Sequence, residues 1–447
     1  MNVSDIKTLL NRIKNSTIPA VTSTYSTRIL SGGLQYLLIA VVLGRTIGAS
    51  GVGIFLLYLS WLQITATFGA FGYPTLSLRA IATALERNDH FEAYRYWKRS
   101  LGIPFFGTLI IAILAFAWRN PIAGLIFRDL ELGWLVVAIT ASAVPMAVLL
   151  IATSVLKGQG KPVLGLFLQF GAAPLLLLLG LVTHLFSFEG PVSTGGLIVG
   201  FSIALFSVAI IAVGLADYGL RLTRREAKSS KHYPVASSEL GTNAVAARFW
   251  LIDLSNQANL RVPIILVSFF ASPEEVGYFG VSYQLVAQVG ILFTALQSVY
   301  SPIFVRDFTR RKATLLRRHF LQTRIYAVAL YLPIFLVFIG AGKFFLGLSG
   351  PDFTQAFPLV VILAVGQLIK SSMGLGEFFN LMTNAERFEI SASFITLVLT
   401  LTLGIFLGGR SETIGIAIAV SITLAFKNLI SVVRANRTIR RLEVPVP

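Results

Sequence analysis

Residues 132–156 read LGWLVVAITASAVPMAVLLIATSVL, without a single charged side chain. About 20 apolar residues in a helix cross the roughly 30 Å of hydrocarbon in a bilayer, so this stretch is a complete crossing by itself. Comparable runs lie on both sides of it. Before it come 24–44, 53–82 and 101–118; after it come 162–186, 195–216, 243–270, 277–305, 324–346, 356–383, 390–408 and 413–432. The pattern predicts an all-α polytopic membrane protein of about twelve transmembrane helices. Composition agrees: of 447 residues 55% are hydrophobic and 13% charged, with a mean hydropathy of +0.77. A water-facing surface carries about 25% charged residues, which excludes a soluble enzyme. There is no Cys, and His90, His184, His232 and His319 are far apart in sequence. Disulfides, thiol chemistry, a metal site and a catalytic site are therefore not expected.

The net charge is +17 and the pI about 10.3, a balance that could mean nucleic acid or topology. Placement decides between them. The N-terminus, the even-numbered loops and the C-terminus hold about 26 Lys and Arg, the odd-numbered loops about 5, the asymmetry expected when both termini are cytoplasmic. No nucleic-acid partner is expected. Trp97, Trp118 and Trp134 fall near the ends of runs, as in an interfacial aromatic belt. Residues 1–19 place Ile6, Leu9, Leu10 and Ile13 at helical spacing beside Lys7, Arg12 and Lys14, an amphipathic segment on the membrane surface or a frayed tail. The stretch 217–242, with Arg221, Arg224, Arg225, Lys228 and Lys231, reads as a cytoplasmic linker. It separates six runs in 20–216 from six in 243–433, followed by a basic tail, 434–447.

The two halves echo each other. Val52-Gly53-Ile54-Phe55 matches Val276-Gly277-Tyr278-Phe279, Pro74 matches Pro302, and the exit Leu156 to Lys161 matches Met382 to Arg387, all at nearly one shift. Duplication of a six-span unit predicts two bundles of like orientation, related by a pseudo-two-fold along the membrane normal.

Charges inside the runs mark a candidate site, because an ionised side chain at mid-membrane costs about 2.5–3.5 kcal/mol and normally faces a cavity or a partner. On the first run Thr24, Arg28, Ser31 and Gln35 share an arc of about 60°. On the seventh, Asp253, Asn256, Gln257 and Arg261 share about 140°. Lys370 and Glu377 stand seven residues apart on the tenth. These positions predict a central cationic cavity, or else hydrogen bonding between neighbouring helices. Arg28, Arg261 and Lys370 are the anion-binding candidates, with Ser31, Gln35 and Gln257 beside them. Asp253 and Glu377, the acids placed well within runs, are coupling candidates through their neighbours Arg261 and Lys370. Gln63, Gln284 and Gln288 are sugar-contact candidates or helix-helix hydrogen-bonding groups. Arg248 and Lys427, near cytoplasmic ends, are expected to snorkel. No P-loop is present, so the chain does not hydrolyse ATP through one.

Leu43-Gly44-Arg45, Gly51-Val52-Gly53-Ile54-Phe55, Phe71-Gly72-Tyr73-Pro74 and Leu78-Arg79, with echoes at Glu275 to Phe279 and Lys157 to Lys161, resemble the polysaccharide-transport branch of Wzx-type (O-antigen) flippases. That branch belongs to the multidrug/oligosaccharidyl-lipid/polysaccharide (MOP) exporter superfamily. The resemblance implies alternating access in a bacterial inner membrane. Its cargo would be an undecaprenyl-diphosphate-linked oligosaccharide repeat unit, turned to the outer leaflet for O-antigen, capsule or exopolysaccharide assembly. It implies no cofactor, and as partners membrane lipids with the polymerase and chain-length regulator of the pathway. Drug exporters of the superfamily typically carry an acid on the first helix, where this chain has Arg28. Peptidoglycan-precursor flippases usually have fourteen spans. Both remain alternatives.

Overall fold

The computed structural model describes residues 18–126, 132–187, 192–227 and 243–443, and their regular structure is helical. Most of the N-terminal amphipathic segment, the linker from 228 to 242 and the last residues of the tail lie outside the described residues. In the first half, α1 (Ile18–Tyr36) passes through a π-helical segment (Leu37–Leu43) into α2 (Gly44–Ala70). Then follow α3 (Tyr73–Glu86), α4 (His90–Ala117), α5 (Arg119–Ile126), α6 (Gly133–Gly158), α7 (Pro162–Phe170), α8 (Ala172–Ser187) and α9 (Thr194–Ala227). The second half comprises α10 (Asn243–Ser268), α11 (Pro273–Ala287), α12 (Gly290–Thr309), α13 (Ala313–Gly347), α14 (Phe357–Met373), α15 (Gly376–Met382) and α16 (Glu386–Glu443). The first residues of the expected linker, 217–227, simply continue α9.

Among the described residues seven helices are long and apolar enough to cross a membrane, or eight with the α7–α8 pair, bent by 48°. The two longest are each two crossings: left-handed Gly48 (φ 67°) divides the first, and Ser411 with Glu412 (φ 45°) divides α16. Adding α10 and the α11–α12 pair gives the twelve crossings expected. Four runs that hydropathy shows as continuous are broken. The second breaks at Phe71 and Gly72 (φ 46° and 70°), the fifth at Gly171, the eighth between α11 and α12, and the tenth at Gly374 (φ 72°). Apolar composition is the same on both sides of each break, so hydropathy does not register it. Gly72 has a second constraint: a Cβ there would run into Ala246 O and Trp250 N of α10.

The backbone repeats with the sequence. Left-handed Asn88 between α3 and α4 has its counterpart in Arg311 between α12 and α13, and Gly160 between α6 and α7 has Asn384 between α15 and α16. The proline match is looser, because Pro74 opens α3 while Pro302 lies inside α12. In the first half α6 is the central post, packed on α2, α3, α4 and α9; in the second, α16 packs on α10 and α14. Outward faces stay apolar: Phe106, Ile110 and Ile113 on α4, Ile203 and Phe206 on α9, and Ile325 and Leu336 on α13 are all exposed. Surfaces this extensive and this apolar belong in lipid, and the chain is a multi-pass membrane protein. Trp118 and Trp134 are exposed as a belt requires, but Trp97 is wholly buried and donates from Nε1 to Asp217 Oδ1 at 3.1 Å. Its indole found an acid on α9 rather than the interface.

The halves meet most extensively where α2 packs on α11. The contact is made by the duplicated motif itself. A Cβ on Gly53 would collide with Pro273 O, and one on Gly277 with Ala49 O. Both positions require Gly because the two backbones touch.

Candidate functional site

Below that contact, α2 and α3 run along α10 as one seam. Arg261 donates from Nε to Gln63 Oε1 at 3.0 Å across it, a charge-assisted bond between two residues singled out from separate halves. Trp250 of α10 packs its ring at 5.1 Å from Phe68 and donates from Nε1 to Phe68 O at 3.0 Å. Thr75 Oγ1 donates to both carboxylate oxygens of Asp253, at 3.0 and 3.2 Å. The Arg79 guanidinium lies 5.3 Å from the centre of the Phe249 ring. Asp253 therefore bonds a hydroxyl of the other half, not Arg261 two turns along its own helix.

On α1 the stripe is split in its surroundings. Arg28 is exposed, its guanidinium 5.2 Å from the Phe170 ring centre. Ser31 is buried beside Gly171, with its Oγ unpartnered, and Gln35 is half-buried. The side chain of Thr24 lies outside the described residues. Near the same turn Lys157 donates from Nζ to Gln169 Oε1 at 2.8 Å. Gln257 Oε1 and Gln284 Nε2 are buried with no hydrogen-bond partner, and Gln288 caps the end of α11.

The second half encloses a cavity of about 380 Å³ lined by α10, α11, α14 and α16, and both Lys370 and Lys427 open into it. Lys370 stands 5.2 Å over the Phe293 ring. Lys427 does not snorkel: it is 16% exposed and donates from Nζ to Glu377 Oε1 at 3.0 Å. Glu377 thus bonds Lys427 rather than Lys370. The break at Gly374 lies between Lys370 and Glu377, so the seven-residue spacing no longer carries them along one helix face.

Sequence reasoning missed Glu389. It is 3% exposed, and accepts from Asn380 Nδ2 at 2.6 Å and from Ser431 Oγ at 3.0 Å. Standing one residue before the 390–408 run, it looked like a loop acid. The available signal was Asn380 nine residues earlier, a polar amide inside an otherwise apolar turn. Among the described residues no three His, Cys, Asp or Glu side chains group as metal ligands.

No described protein family matches the chain, and no curated protein matches it in sequence. Its fold does match solved structures. It superposes on an inward-facing multidrug resistance MATE family transporter of the MOP superfamily with a TM-score of 0.72 at 13% identity, covering 95% of this chain and 99% of the other. For the lipid II flippase MurJ, in an inward closed conformation, the TM-score is 0.67 at 13% identity, covering 95% and 90%. A MOP superfamily transporter from Pyrococcus furiosus gives 0.60 at 14% identity, covering 95% and 96%. The fold is that of MOP superfamily transporters.

Proposed function

We propose that the chain is a flippase that carries an undecaprenyl-diphosphate-linked oligosaccharide repeat unit from the cytoplasmic to the outer leaflet by alternating access, for surface polysaccharide assembly. The observation that carries this reading is the set of cations inside the crossings, Arg28, Arg261 and Lys370, with no acid on α1. A diphosphate in a low-dielectric cavity needs such partners. A second observation concerns the lipid. Among the described residues α2 packs closely along α10, whereas α1 makes no comparable packing on α12. A polyprenyl tail can stay in the bilayer on that looser side while the head group passes between the halves. Gln63, Gln284 and Gln288 are available for sugar hydroxyls, and Asp253 and Glu377 remain the coupling candidates.

The test is flipping of a labelled undecaprenyl-diphosphate oligosaccharide in proteoliposomes, beside loss of surface polysaccharide on gene deletion. Transport of the lipid is expected. The MATE likeness keeps a drug exporter as the second reading, and efflux of a cationic dye on an imposed ion gradient with no lipid flipping would establish that reading instead. With both termini cytoplasmic, a phosphatase fused after Lys231 is inactive, and activity there would reverse the orientation.

A further inference from the structure

The cavity of the second half joins two kinds of surface. On three helices an apolar residue stands one turn from a polar one, Leu260 from Asn256, Leu363 from Gln367 and Leu424 from Lys427, so the lining passes from polar to apolar along the helix axes. Lys370 is the anomaly. Its ammonium meets the face of Phe293 and closes no hydrogen bond or ion pair among the described residues, although Glu377 acts on it at longer range. Gln367 Oε1 is likewise buried without a partner. An ammonium facing an apolar-lined cavity is stabilised when something anionic or strongly polar answers it. The single acid bonded in this group, Glu377, is committed to Lys427.

We infer that Lys370 and Lys427 form a two-ammonium seat for the phosphoryl end of a prenyl phosphate, with the apolar lining taking the first isoprenyl carbons and Glu377 holding Lys427 until the anion arrives. The anion replaces Glu377 on Lys427 and gives Lys370 a close partner in place of the distant Glu377. Binding is thus an exchange of one counter-ion for another, and the Glu377–Lys427 bond sets its threshold. The seat deepens the flippase reading and rests on it for the identity of the lipid, but binding can be measured without transport. A second copy of the seat is not expected in the first half. At the repeat shift of 224 that separates Gly53 from Gly277, Lys370 falls on Met146 and Glu377 on Thr153.

The experiment uses the full-length protein in nanodiscs, titrated with inorganic pyrophosphate and with farnesyl diphosphate and followed by native mass spectrometry. Both probes are expected to bind, farnesyl diphosphate at least tenfold more tightly because of the apolar lining. Pyrophosphate binding as tight would remove the lining from the proposal and leave a bare phosphate site. Lys370→Gln and Lys427→Gln should each weaken both probes at least tenfold. Glu377→Gln should tighten them severalfold, a gain that a misfolded variant cannot produce. Parental affinity in the Lys370→Gln/Lys427→Gln double variant, or weakened binding in Glu377→Gln, overturns the seat. If the parent binds through the lysines but flips no lipid, the flippase reading fails and the seat stands. If it flips lipid with the lysines dispensable for binding, the seat alone fails.

Discussion

The two halves share a backbone and differ in what they bury. Left-handed turns recur at Asn88 and Arg311 and at Gly160 and Asn384, yet two buried acids of the second half fall on small residues of the first. Asp307 corresponds to Ala84 and Glu389 to Gly165; both acids are almost fully buried. The first half presents Arg28 at the surface over Phe170 and ties Lys157 to Gln169, while the second ties Arg261 to Gln63 and Lys427 to Glu377 and leaves Lys370 over Phe293. The halves therefore share one frame and differ in the charges set on it, with Arg28 the exposed cation and Arg261 the tied one.

The sharpest way to break this contrast is to remove each arginine. Arg28→Ala and Arg261→Ala should each abolish flipping in proteoliposomes. Only Arg261→Ala should also lower the thermal unfolding midpoint, because it strands Gln63 and removes a charged hydrogen bond of about 1.5–3 kcal/mol. Lysine at either position should rescue in part, since the planar fork is lost. Equal destabilisation by the two variants would mean that Arg28 is as fixed as Arg261.

A second route goes through the duplicated glycines. Gly53→Val or Gly277→Val should force α2 from α11 and populate the state in which this seam is open. The parent chain has no Cys, so a single Val281→Cys, buried one turn beyond Gly277, reports directly. It should be unreactive to maleimide in the parent and react at least tenfold faster beside Gly53→Val. Unchanged reactivity would show that the backbones part without opening the seam.

Smaller effects test the scaffold. Glu389→Ala leaves the Asn380 amide and the Ser431 hydroxyl without their carboxylate and should cost about 2–3 kcal/mol. Glu389→Gln, which keeps an acceptor oxygen, should cost less than about 1 kcal/mol. Equal losses would assign Glu389 a packing role only.

The smallest expected effect is at Asp307, in the last turn of α12 beyond the eighth apolar run, 277–305. Burial works to raise its carboxyl, but hydrogen bonds from Arg306 at 3.0 Å and with His319 at 2.7 Å, together with their charge, hold it below the ordinary carboxylate range. A depressed carboxylate contributes stability that is fully present above its unfolded value and lost as pH falls through the folded one. Asp307→Ala, which restores the residue of the first half, should cost about 1–2 kcal/mol at pH 7. The difference from the parent should shrink only in acid, below the ordinary carboxylate range. A difference that stays constant into that range would remove the ion pair from the account.

The frame was legible in the sequence because it depends on apolar length. A run such as 132–156 has one stable solution in lipid, a helix, and it became α6. Positions within the frame were less legible. Arg261 and Gln63 were both singled out, but their bond joins residues of different halves, which no periodicity relates. Glu377 was assigned to Lys370 on helical phase, and one left-handed glycine between them cancelled that phase. Glu389 was overlooked because hydropathy averages over a window and loses a lone acid at its edge. Gly53 and Gly277 were noticed as a repeat, while their direct contact followed only from the fold.

The π-helical segment at Leu37–Leu43 bears on the stripe of α1. A π-bulge carries one residue more than the α-helical turn it replaces, so removing it turns everything on its N-terminal side by about 100° around the axis. In the present register Ser31 Oγ and Tyr36 OH are buried without partners among the described residues. One step of register there would turn Arg28, Ser31 and Gln35 together about the helix axis and shift them along it by about 1.5 Å.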